Sequence, residues 1–136
     1  MNALDTNVLV RFLVNDDTRQ ARIVYKLFKL AESNKESYWV PLLVVLETIW
    51  VLDSVYEIPR EEILDSLNDL LMMTVLKFES PSTIQKFIHS ARKNTLDLSD
   101  VLIASAAGVS GCESILTFDK KASRHDLFKL IQADGT

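Results

Sequence analysis

Short β-like runs alternate along this chain with longer segments of helical periodicity, and that alternation restricts the fold most. Tyr38-Trp39-Val40, residues 74–78, residues 114–118 and residues 127–131 read as strands. Asn2-Ala3-Leu4 is a shorter apolar run that ends at Asp5. Between these lie segments whose apolar residues recur at helical spacing. Val8, Leu9, Phe12 and Leu13 fit one helical face, and Ile23, Val24, Leu27, Phe28 and Ala31 fit a second. Asp16-Asp17-Thr18 opens that second helix with acids where the helix dipole favours them. Pro41 suits the first position of a helix running to about Tyr56, with Leu42, Val45, Leu46, Ile49 and Leu52 as its core face. Pro59 opens a helix through Leu71, and Ser80-Pro81 opens one to about Lys93. Residues 97–110 form an Ala-rich helix closed by Gly111. A short helical turn is expected at 120–124. Strands alternating with helices indicate an α/β domain: a short, mostly parallel central sheet with helices on both faces. Right-handed crossovers put the carboxyl ends of the strands on one edge, where ligands bind.

Composition narrows the classes. The 136 residues suit one domain, read here as 1–132 with 133–136 as a flexible tail. Only Gly 3 and Pro 3 are present, which excludes collagen-like and Gly- or Pro-rich disordered chains. One cysteine, Cys112, excludes an intramolecular disulfide. Asp5 sits where a signal peptide would need apolar residues, and Glu47 breaks the longest apolar stretch. A cytoplasmic location without a membrane span is expected. The phosphate-binding and dinucleotide-binding glycine motifs are absent, so no nucleotide cofactor is expected.

Four carboxylates stand out. Asp5 and Asp119 follow strands and should share one sheet edge. Glu47 and Asp100 interrupt apolar helical runs. A carboxylate in an apolar segment is costly unless paired or metal-bound, and oxygen-only ligands favour Mg²⁺ or Mn²⁺. Each acid alone has an ordinary reading. Asp5 and Asp119 can be helix caps, and Glu47 an exposed helix residue. Asp97 reads as a cap, and Asp97-x-x-Asp100 resembles a capping box. Arg19, Arg22, Lys26 and Lys29 form a basic stripe that reads as a solvated face. Asp53, Glu57, Glu61, Glu62, Asp65 and Asp69 read as helix surface, His89 and His125 lack metal-ligand spacing, and Trp39 and Trp50 read as core.

The order of the acids is informative. Ala3-Leu4-Asp5-Thr6-Asn7-Val8-Leu9 opens the chain, Val44-Val45-Leu46-Glu47 follows, Asp97-Leu98-Ser99-Asp100-Val101-Leu102-Ile103-Ala104 comes late, and Leu116-Thr117-Phe118-Asp119-Lys120-Lys121 comes near the end. This pattern resembles the PIN-domain family, and within it the VapC toxins of type II toxin–antitoxin modules, from about Asn2 to Ile131. The resemblance implies a three-layer fold and an Mg²⁺- or Mn²⁺-dependent endoribonuclease. It implies Asp5, Glu47, Asp100 and Asp119 as catalytic and metal-binding acids, and Thr6, Asn7, Asp97 and Thr117 as supports. It also implies a VapB-like antitoxin partner and a homodimer, for which Phe28, Leu43, Val44, Trp50 or Val51 could supply apolar contacts, core packing being the more usual use of each. Lys120, Lys121 and Arg124 could touch RNA phosphates or form a solvated helix end.

Three alternatives remain at this point: a PIN nuclease that is not a toxin, a non-catalytic module using its acids to bind a basic partner, and a phosphoryl-accepting receiver domain. The receiver reading is weak. It wants an acidic pair right after the first strand, whereas Asp16-Asp17 lies a helix too late. The net charge of −4 argues only mildly against a nucleic-acid ligand. With the four proposed site acids set aside, the remaining acids equal the 15 basic residues.

Overall fold

The computed structural model describes residues 1–132, and the expected tail at 133–136 lies outside the described residues. Its contacts cluster in two compact units, Met1–Pro81 and Ser82–Thr136.

The first unit carries α1 (Thr6–Leu13), α2 (Thr18–Ser33), β1 (Tyr38–Val40), α3 (Leu42–Trp50), a π-helical turn (Val51–Val55), α4 (Arg60–Leu71) and β2 (Leu76–Phe78). β1 pairs in parallel with β2, with Trp39 opposite Lys77. On the other side of β1, Ala3 bridges Trp39 in parallel. The bonds there run from Leu4 N to Trp39 O at 2.9 Å and from Trp39 N to Asn2 O at 2.9 Å. The expected first strand is therefore a single bridge, and it delivers the chain to Asp5. Pro41 is the N-cap of α3 rather than its first residue, so the helix starts one residue later than expected, because the φ of −62° suits a helix start but the ψ of 149° is extended.

Helical spacing decides what is buried. Val24, Phe28 and Ala31 turn inward on α2, and Val45, Ile49 and Leu52 do so on α3 and its extension. Ile63, Leu64, Leu67 and Leu70 do the same on α4. Fully burying a side chain such as Ile63 or Ile49 is worth about 1.5–3 kcal/mol. Phe28 stacks at a tilt against Phe12, with centroids 5.0 Å apart, and lies 6.0 Å from Tyr38. Phe28 is thus a core residue and cannot serve a dimer face.

α3 does not continue as one α-helix to Tyr56. Thr48 is fully buried and donates its hydroxyl to the Val44 carbonyl at 2.7 Å, which loads that carbonyl one turn before the ladder widens. The wider turn ends at Glu57, whose φ of 53° is left-handed. Tyr56 then reaches the α1–α2 connection. Its hydroxyl donates to Asp16 Oδ2 at 2.7 Å, Arg11 sits 3.7 Å from Asp16 Oδ1, and Arg11 Nε donates to Gln20 at 2.7 Å.

The second unit carries α5 (Pro81–Ala91), which starts at the boundary, then α6 (Leu98–Val109), β3 (Ile115–Thr117), a 3-10 turn (Ala122–Arg124) and β4 (Phe128–Leu130). β3 and β4 pair in parallel, with Leu116 opposite Lys129. Ile84, Phe87, Ile88, Val101, Leu102 and Ala104 supply buried apolar surface. α6 ends in a Schellman motif: Cys112 N bonds to Ala107 O at 2.9 Å, and Gly111 N to Gly108 O at 3.1 Å. That geometry needs a left-handed residue, and Gly111 supplies it with φ 93°. Among the described residues, the strands form two parallel pairs, one in each unit. Parallel pairing and interleaved helices agree with the α/β expectation. Among the described residues, no helix is long and apolar enough to cross a membrane.

The Tyr56–Asp16 bond has a pH signature. It holds Tyr56 above its ordinary value of 10.0, and it also holds Asp16 below its ordinary 3.8, with Arg11 adding to it against the cost of burial. The Asp16 contribution to stability is present above its ordinary value and is lost as pH falls through the lowered one. The Tyr56 contribution is present below 10.0 and is lost as pH rises through the raised value. Tyr56→Phe should therefore remove the late-titrating component of the tyrosine absorbance titration and return Asp16 toward 3.8 by NMR titration. An unchanged late component would show that Tyr56 is not its source.

Candidate functional site

Each candidate acid has its own local cause. Asp5 is the N-cap of α1, and its Oδ1 accepts from Thr6 N at 2.8 Å. Thr6 is buried and Asn7 exposed. Glu47 lies on the exposed side of α3, and that helix packs against α1. Leu43 and Trp50, 77% and 54% exposed, lie one turn before and after it on the same stripe. Trp50 is therefore not a core residue. Trp39, at 36%, is also exposed.

The other acids belong to the second unit. Asp97 stands at the N-cap position of α6, yet its side chain makes no cap hydrogen bond. The expected capping box is not formed, and the Asp97 carboxylate is not spent on the helix backbone. Asp100 sits in the first turn of α6, half-buried. Asp119 caps the turn that follows β3. Its Oδ1 accepts from Lys121 N at 2.9 Å and from Ala122 N at 3.2 Å. Thr117 Oγ1 accepts from Asp119 N at 3.0 Å, which fixes the residue from the other side. Asp119 therefore has the cap role the sequence allowed, and Oδ2 remains for another partner.

Electrostatics brings three of these residues together. Burial, then the negative charges of Asp97 and Asp119, holds Asp100 above the ordinary carboxylate value. Like charges at one place are a cost to the folded chain, and a cation between them removes it. The donors are all oxygen and all acidic, which suits a hard divalent cation. Among the described residues, no three acid, histidine or cysteine side chains are gathered tightly enough to form a metal cage alone. A Mg²⁺ site needs no such cage, because the ion keeps several waters and takes one or two carboxylates.

The surroundings complete the picture. Lys120, Lys121 and Arg124 are exposed around Asp119. The stripe Arg19, Arg22, Lys26 and Lys29 is exposed along α2, and the Lys29 ammonium lies 5.7 Å from the Tyr25 ring centre. The block Asp53, Glu57, Glu61, Glu62, Asp65 and Asp69 is exposed, as a helix surface should be. His125 Nδ1 accepts from Leu127 N at 3.2 Å, so this ring has a local structural partner. Sequence reading missed two residues beside the acids, Leu116 at 64% and Phe118 at 77% exposed. Strand alternation carried the signal, since both lie on the side opposite Ile115 and Thr117.

The PIN domain family model matches residues 3–127, nearly the whole chain and all of the acids above. The chain belongs to the PIN-domain family. This PIN domain is also 24% identical over 121 residues to a VapC ribonuclease of Aquifex aeolicus (strain VF5), covering 89% of each chain.

Crowding at Asp100 yields a direct test. A raised carboxylate binds its proton more tightly in the folded than in the unfolded chain, so stability falls as pH rises through the carboxylate range. Asp97→Asn removes one like charge. It should move the Asp100 titration down toward 3.8 in carboxylate NMR on the metal-free protein, and flatten the stability loss over that range. An unmoved Asp100 would place the two groups outside each other's field.

Proposed function

We propose that this PIN domain is a Mg²⁺- or Mn²⁺-dependent endoribonuclease and the toxin of a VapBC-like pair. The observation that supports it best is Asp100, held above the ordinary carboxylate value by burial, Asp97 and Asp119 at the start of one helix. An acid perturbed by burial and by like-charged neighbours is a feature of functional sites. The match to the PIN model and the similarity to a VapC ribonuclease give the direction of the chemistry.

Asp5, Glu47, Asp100 and Asp119 carry the reaction in this reading. Asp100 and Asp5 would be the main ligands of the ion, and Glu47 and Asp119 would hold a second ion or orient the attacking water. When bound, the cation supplies charge stabilisation at the scissile phosphate and a more acidic water. The chain supplies orientation. The backbone bonds from Thr6, Lys121 and Ala122 fix one oxygen each on Asp5 and Asp119, so their second oxygens point without rotamer search. Thr117 holds the Asp119 backbone, and Asp97 keeps the local field negative until a cation arrives. Thr6 and Asn7 support the Asp5 junction.

A VapB-like antitoxin and a second copy of the chain are the proposed protein partners. Exposed apolar residues are available for them: Leu43 and Trp50 on α3, and Ile23 and Leu30 on α2. The compartment is proposed to be the cytoplasm, where RNA and antitoxin meet.

The test is cleavage of RNA by purified protein. Wild type should cleave in Mg²⁺ or Mn²⁺ and stop in EDTA. A metal contribution of several kcal/mol means that Asp5→Asn and Asp100→Asn should each lose about 1000-fold in rate. Equal cleavage by wild type and Asp5→Asn would contradict the assignment. Cleavage that co-expression of an adjacent small partner fails to relieve would leave a PIN nuclease that is not a toxin.

A further inference from the structure

The second unit holds a cleft of about 390 Å³ lined by Lys93, Asn94, Thr95, Leu96, Lys121, Arg124 and His125. Two chain segments build it: the α5–α6 connection, and the turn between β3 and β4. Among the described residues, no acidic side chain lines it. Among the described residues, Lys93, Lys121 and Arg124 have no carboxylate within ion-pair distance. Three cations sharing one concave space repel one another, as three carboxylates do around Asp100. An anion removes that cost. His125 adds a donor: its Nδ1 accepts from Leu127 N, so the neutral ring carries its proton on Nε2.

Position in the chain gives the anion a class. The first segment, Lys93–Leu96, leads directly into Asp97 and Asp100. The second starts two residues after Asp119, at Lys121. The cleft therefore shares its two connections with Asp97 and Asp119, and Asp100 follows in the first turn of α6. We propose that this cleft is a phosphate subsite for single-stranded RNA, holding a phosphodiester that flanks the one cleaved. This rests on the ribonuclease reading and adds to it a place for the substrate backbone. Lys120, which does not line the cleft, is outside the subsite. The exposed Trp50 is not a rival for backbone binding, since α3 carries no basic residue.

The subsite can be tested without catalysis. Affinity for a fluorescent single-stranded RNA is measured by anisotropy in EDTA across a salt series, with the folded state of each variant checked by thermal melting. Each lost phosphate contact should reduce the slope of log affinity against log salt by about 0.7. Lys93→Gln and Arg124→Gln should each show that reduction, Lys93→Arg should restore the wild-type slope, and Lys129→Gln, away from the cleft, should leave it unchanged. A neutral methylphosphonate walked along the RNA should weaken binding to wild type at one linkage and have no further effect there on Arg124→Gln. Wild-type slopes in both Lys93→Gln and Arg124→Gln would overturn the subsite, as would an equal loss in Lys129→Gln. The ribonuclease reading fails separately, by absence of metal-dependent cleavage in the wild type.

Discussion

Backbone N–H groups at the start of a helical turn need an acceptor, and here carboxylates meet that need where the proposed chemistry also wants carboxylates. Asp5 accepts from Thr6 N at the start of α1. Asp119 accepts from Lys121 and Ala122 at the turn after β3. Each bond ties one oxygen to a rigid element and fixes the direction of the other. A short strand delivers the chain to the junction, the helical turn holds the acid, and the acid is presented at a strand's carboxyl end. Under the proposed function, the structural and functional uses of these residues are one arrangement rather than competing explanations.

Asp97 and Asp100 show the complementary case. An acid at the N-cap position normally bonds the helix backbone, but the Asp97 side chain makes no such bond. Its charge acts on Asp100 instead. A repulsion that a simple cap would have avoided is kept in the fold, and it makes the start of α6 a place where a cation is favoured. Around it, the cationic cleft at Lys93, Lys121 and Arg124 separates positive charge from negative within one unit. The net charge of −4 is thus a poor guide to partners, because the charges are sorted locally.

Much of the fold was legible because its signals are local. Asp17 before α2, Pro59 before α4, Pro81 at the start of α5 and Gly111 after α6 are terminal signals, and all four mark the ends they suggested. Strand existence was legible from short apolar runs, but strand pairing was not. Asn2–Leu4 contributes one bridge, and the four strands form two pairs, because hydrogen bonding between distant segments leaves no mark on local periodicity. The π-helical turn after Trp50 was hidden for a different reason: Val51–Val55 reads as ordinary helix in sequence, and a local widening of the ladder leaves its apolar spacing almost unchanged. Phe28 is buried, as its place on the apolar face of α2 suggested, whereas Trp50, read as core, is exposed, since an apolar residue at helical spacing does not say which neighbour covers it. The acids were found by order and spacing. Their coupling came from the structure, and only for Asp97, Asp100 and Asp119.

The central claim is that these carboxylates are set to hold a divalent cation. Binding of Mn²⁺ to the metal-free protein, followed by water-proton relaxation, tests it without RNA. The account predicts binding by the wild type, weakened by about 10-fold or more in Asp100→Asn and in Asp119→Asn. Equal Mn²⁺ affinity in wild type and both variants would contradict it.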